Sequence, residues 1–130
     1  MNTEKIIKEV ITEVKDLLIE KNRAYGDSAI NPSNIFSNGD ALDSLGARID
    51  DKLMRIKNTG ITDETEDTLI DLIGYLVLYK VAMIKEKVDE FESEKEILEM
   101  GGHVNINGTN IDSVDGLIYH YEEKEKKSRN

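Results

Sequence analysis

The chain reads as an all-α protein, a helical bundle of three main helices followed by a small C-terminal hairpin or helix. Three observations carry that reading. Apolar residues recur at helical spacing in three long segments. Turn-forming residues gather between those segments, around Pro32 and around Gly60. Hydrophobic content of 38% with charged content of 34% fits a mostly helical chain with a modest core.

The first helix spans about residues 3–22. Ile6, Ile7, Val10, Ile11, Val14, Leu17 and Leu18 supply its apolar stripe, and Thr3 is placed to cap it. Residues 21–40 read as a loop holding Pro32, Gly26, Asn31, Asn34, Asn38 and Gly39, long enough to suggest a functional role. The second helix runs over about 41–58, with Leu45, Ile49, Leu53 and Ile56 as its stripe, and Asn58-Thr59-Gly60 stops it. Asp63 and Glu66 have capping-box spacing and open the third helix, over about 63–100. Beyond Ile84 that helix becomes charged, yet Ile84, Val88, Phe91 and Leu98 keep a seam that suits a partner subunit. Gly101-Gly102 ends it. Val104 to Ile111 across Asn107-Gly108 reads as a hairpin, and 113–127 as a helix capped by Ser113. The domain division expected is 1–100 for the bundle and 101–130 for an appendage.

Composition narrows the function. A net charge of -10 argues against a nucleic-acid polymer as partner, since such binding needs a basic surface. No apolar run is long enough for a transmembrane helix, and the N-terminus lacks a signal-peptide core, so no membrane partner and a cytoplasmic location are expected. With no cysteine, disulfides and thiolate metal sites are excluded. A phosphorylated small molecule remains open, because a few local cations or a bridging divalent ion can hold it.

The most informative stretch is Glu66 to Tyr79. Asp67 and Asp71 lie one turn apart on a helix that is apolar nearly all round. A carboxylate in such a setting must be paired or bound to a metal. On the second helix Arg48, Asp51, Lys52 and Arg55 fall within an arc of roughly 100° beside its apolar stripe. Two readings follow. The bland one is a structural salt-bridge network joining Arg48, Lys52 and Arg55 to Asp67 and Asp71. In the other, the cations face phosphates while Asp51, Glu64, Asp67 and Asp71 hold Mg²⁺ through hard oxygen ligands. In the loop, Tyr25 and Phe36 are candidates for stacking on a base, and Asn31, Asn34 or Ser37 for reading its polar edges. An ordinary turn is the competing reading there. Tyr75 joins the candidate substrate contacts, although its spacing to Tyr79 also fits a core position. His103 and His120 have no metal-ligand spacing.

Four strings occur in order: KNRAYGDS, NPSNIFS, RIDDKLMRIKN and EDTLIDLIGYLVLYK. Together they resemble the phage and bacterial nucleotide modification associated domain 1 family. That family is grouped with the MazG-like and dimeric dUTPase-like all-α nucleoside triphosphate pyrophosphohydrolases. The resemblance covers roughly residues 5–85. It implies a dimeric or tetrameric helical bundle with the site between facing helices, Mg²⁺ held by acidic residues of two helices, and release of pyrophosphate from a nucleoside triphosphate. By the same resemblance Asp67 and Asp71 match the acidic pair on one metal-binding helix, and Asp51 is the best match on the other. The wider pattern has a glutamate cluster where this chain has Arg48-Ile49-Asp50-Asp51-Lys52.

Three functions follow as expectations. The first is a Mg²⁺-dependent nucleotide pyrophosphohydrolase with Asp71, Asp67 and Lys52 as catalytic residues and a homo-oligomeric assembly. Lys52 and Arg55 would neutralise charge on the phosphates. The second is a nucleotide-binding protein without turnover, such as a phage sink for a nucleotide immune signal. The third is a structural helical oligomer.

Overall fold

The computed structural model describes residues 2–35, 38–62 and 66–129, without the side chains of Glu66 and Asp67. The elements are α1 (Thr3–Ala24), α2 (Ala41–Thr59), α3 (Glu66–Glu99), β1 (Val104–Ile106), β2 (Thr109–Ile111) and α4 (Val114–Ser128). The all-α expectation holds, and the C-terminal segment takes both forms, a hairpin and then a helix. Among the described residues no helix is long and apolar enough to cross a membrane. The chain divides into two compact units, Met1–Ile84 and Lys85–Asn130. The boundary between these units falls inside α3.

In the first unit, α1 begins at Thr3 as expected, but its cap lies one residue earlier. Asn2, not Thr3, is the cap, its Oδ1 accepting from the Lys5 amide at 2.8 Å. The helix then continues through Lys21 and Arg23, whose charges suit a helix C-terminus. Gly26 and Asp27 turn the chain with positive φ of 61° and 66°. Asp40 caps α2 by accepting from the Asp43 amide at 2.8 Å. Gly60 stops α2 at φ 75°, its amide donating to the Ile56 carbonyl at 2.7 Å. The proposed Asp63 capping box lies outside the described residues.

Two pairs of contacts fix the direction of these helices. Lys21 Nζ lies 3.9 Å from Asp71 Oδ1, and three residues earlier on α1, Leu18 meets Gly74, three residues later on α3. A Cβ on Gly74 would stand 3.2 Å from Leu18 Cδ2, so glycine lets the two helices approach. Lys52 meets Asp71, and Arg48 meets Tyr75, again in opposite order. Both α1 and α2 therefore run antiparallel to α3. Continuing the α1–α3 register places Val14 beside Leu78 and Val10 beside Ala82. Val14 and Ala82 are indeed buried, as are Leu45 and Thr68. Ile7, Ile11, Val77 and Val81 remain 42–61% exposed. Leu53, expected in the core stripe of α2, is also half exposed.

The second unit is closed on itself. Its hairpin pairs Val104 with Ile111 and Ile106 with Thr109. Asn107 and Gly108 both have positive φ, as a two-residue type I′ turn demands. Ser113 caps α4 by accepting from the Gly116 amide. Leu98, Ile111 and Leu117 form the core, with Phe91, Val104, Ile106, Val114 and Tyr121 packed against it. Phe91 and Leu98, read from the sequence as a seam for a partner, are thus used within this unit. Ile84 and Val88 stay exposed. The Tyr121 hydroxyl donates to Glu94 Oε2 at 2.8 Å. Burial, then that hydrogen bond and the nearby Glu94 and Glu90 charges, push the Tyr121 phenol well above its ordinary pKa.

Candidate functional site

Within the first unit, α1, α2, α3 and the segment after α1 surround a cavity of about 540 Å³. Its size falls within the range of small-molecule sites. Leu17, Leu18, Leu45, Ile70 and Leu78 make the apolar part of its wall. Asn22, Ser33, Asn34 and Ser44 supply polar edges, and Tyr25 and Tyr75 supply rings. Among the described residues three charged side chains line it: Lys21, Arg48 and Asp71.

The helical repeat puts them there. On α1, Val14, Leu18 and Lys21 follow one another at i, i+4 and i+7, so a cation extends the inward stripe. On α2, Leu45, Arg48 and Lys52 do the same at i, i+3 and i+7. On α3, Asp71, Gly74, Tyr75 and Leu78 share the face turned to the cavity.

Asp71 is the meeting point. Its Oδ2 accepts from Lys52 Nζ at 3.1 Å, and its Oδ1 lies 3.9 Å from Lys21 Nζ. Lys52 is largely buried, with 16% of its side chain exposed against 53% for Lys21, so the Lys52 contact is the less screened of the two. Arg48 sits by Tyr75, its Nη1 3.5 Å from the hydroxyl and its guanidinium carbon 5.8 Å from the ring centre. Among the described residues, lining cations outnumber lining carboxylates in a chain whose net charge is -10. Among the described residues no buried side-chain polar atom lacks a partner.

The residues expected from the sequence divide clearly. Asp71, Arg48, Tyr25 and Tyr75 line the cavity, and Lys52 touches Asp71 from α2 without lining it. Asn31, Asp51 and Arg55 do not line it. The Asn31 amide instead donates to Asp27 Oδ2 at 2.7 Å, and Asp51 and Arg55 are exposed on α2. Phe36 and Glu64 lie outside the described residues. Asp67 belongs to α3, but its side chain lies outside them too. Lys21, Asn22 and Ser44 line the cavity without having been singled out. A lysine continuing an apolar helical stripe is the signal that identifies Lys21.

Among the described residues there is no group of three His, Cys, Asp or Glu placed to hold a metal ion. Among the described residues Asp71 alone brings a carboxylate to the cavity, and lysines face both its oxygens. These described donors do not by themselves fit Mg²⁺, which takes several oxygens in a near-octahedral set.

Comparison with family models, with curated proteins and with solved structures found no match to this chain. The class rests on fold and site alone: an all-α chain carrying a cation-lined cavity between three helices.

Proposed function

We propose that the first unit binds a phosphorylated small molecule, a nucleotide by preference, in the cavity between α1, α2 and α3. The excess of cations over carboxylates among the described lining residues of a strongly acidic chain carries this reading. Arg48 and Lys21 would meet the phosphates, with Lys52 behind them. Tyr25, on the rim and 70% exposed, would offer a ring face to the base. The resemblance to nucleotide-handling helical bundles agrees with this class of ligand.

A thermal-shift and calorimetric screen of nucleoside triphosphates and cyclic dinucleotides, with and without Mg²⁺, tests it. We expect stabilisation by at least one nucleotide and loss of roughly tenfold or more in affinity in Arg48→Ala. No shift with any of them would remove the reading.

A second reading is Mg²⁺-dependent release of pyrophosphate from a nucleoside triphosphate. Asp67, one turn before Asp71 on α3, favours it, because the pair matches the acidic pair of the resembled family. Pyrophosphate release that requires Mg²⁺ and disappears in Asp71→Asn would establish it. The uncovered apolar residues Ile7, Ile11, Val77 and Val81 further support assembly of the first unit with a second copy.

A further inference from the structure

One carboxylate in the cavity is shared by two cations from two different helices. Asp71 on α3 faces Lys52 of α2 at 3.1 Å and Lys21 of α1 at 3.9 Å. Asp71 itself lines the cavity, and Lys52 does not. An anion entering the cavity therefore meets Lys21 already shared and Lys52 screened by the carboxylate. Arg48, beside Tyr75, faces the cavity and forms no ion pair with a carboxylate among the described residues.

We propose that Asp71 is a built-in rival of the ligand's phosphate, setting how much charge a ligand must carry to bind. The inference rests on the phosphate-binding reading above. A singly charged anion offers the two lysines no more than Asp71 already does. It must also give up its own hydration and freedom. Attraction grows in proportion to ligand charge, while the cost of displacing Asp71 stays the same. A group with two or more charges passes that cost, and a phosphate chain also spans from the lysines towards Arg48. The ligand class is therefore a di- or polyanionic phosphate, and not a singly charged carboxylate or phosphodiester. Asp71 acts here as a specificity-determining residue. Its removal tightens binding, whereas removal of a metal ligand weakens it.

The test is isothermal titration of the full chain with inorganic pyrophosphate and inorganic phosphate, in EDTA. Wild type, Asp71→Asn, Asp71→Ser and Arg48→Ala are compared, with helicity checked by circular dichroism. We expect both pyrophosphate and inorganic phosphate to bind Asp71→Asn tighter than wild type, pyrophosphate by roughly three- to tenfold. The Ser variant, which cannot reproduce the carboxamide contact to Lys52, should show the same sign. Unchanged or weaker pyrophosphate binding in both Asp71 variants overturns the proposal. If wild type still binds and Arg48→Ala does not, the phosphate-binding reading survives that failure. If every variant is silent towards both anions, the reading and the inference fall together.

Discussion

The two units of this chain solve the same packing problem in opposite ways. The second, from Lys85, is the shorter, yet it closes a core around Leu98, Ile111 and Leu117, the last fully buried. The first, ending at Ile84, surrounds a cavity of about 540 Å³ and leaves Ile7 and Ile11 more than half exposed. A short hairpin and two helices can cover one another because three different directions of chain meet at one point. Three long helices present more apolar surface than they cover among themselves. The contrast separates a unit with a packed core from one with a cavity between its helices.

The largest effect expected bears on the closed unit. Leu117→Ala removes a side chain with no exposure and should cost about 3 kcal/mol, enough to unfold so small a unit. Hydrogen exchange read by mass spectrometry should then lose protection over residues 91–121 while α1 and α2 keep theirs. Equal loss in α1 would show one cooperative block, and the contrast would break.

A smaller effect tests the open unit. Ile11→Lys places a charge on the most exposed residue of the α1 stripe, with 61% of its surface free. It should weaken self-association roughly tenfold or more without lowering helicity, as sedimentation equilibrium would read. A wild-type chain that sediments as a monomer at high concentration would assign that face to something other than a second copy.

The smallest effect sharpens the account of the closed unit. Tyr121→Phe loses the hydrogen bond to Glu94 but keeps the edge-to-face contact with Phe91 at 5.2 Å, so about 1 kcal/mol is expected. The sign of its pH dependence is fixed by the raised pKa of the phenol. Below about pH 10 the phenol keeps its proton in both folded and unfolded chains, and the contribution is whole. Above that, the unfolded chain releases the proton first, and stability falls as pH rises. Denaturant melts between pH 9 and 11 should show that fall in wild type and a flatter profile in the Phe variant, since phenylalanine has no proton to lose.

Much of the fold was legible because its signals are local. The stripes of α1 and α2 follow from the 3.6-residue repeat, Gly60 from a positive φ, and the hairpin from Asn107-Gly108. The misplaced cap at Thr3 arose because Asn2 offers an equally good acceptor one residue earlier. The site was legible in part. Asp71, Arg48 and Lys52 stood out as charges beside apolar stripes; Lys52 meets Asp71, and Arg48, beside Tyr75, lines the same cavity as Asp71. Asp51 and Arg55 stood out by the same rule and do not line the cavity, because an arc of a helix does not say where the next helix ends its contact.

What the sequence determined by itself is the kind and order of elements, since capping, turn chemistry and periodicity act within a few residues. What only the tertiary structure decided is which faces meet. The choice of Asp71 as the carboxylate between Lys52 and Lys21 depends on both neighbours running antiparallel to α3 and on the close approach of Leu18 at Gly74. The use of Phe91 and Leu98 within the second unit depends on α4 folding back over them. These are contacts between residues far apart in the chain, and the free energy that selects them comes from the surfaces they bury together, which no short stretch of sequence contains.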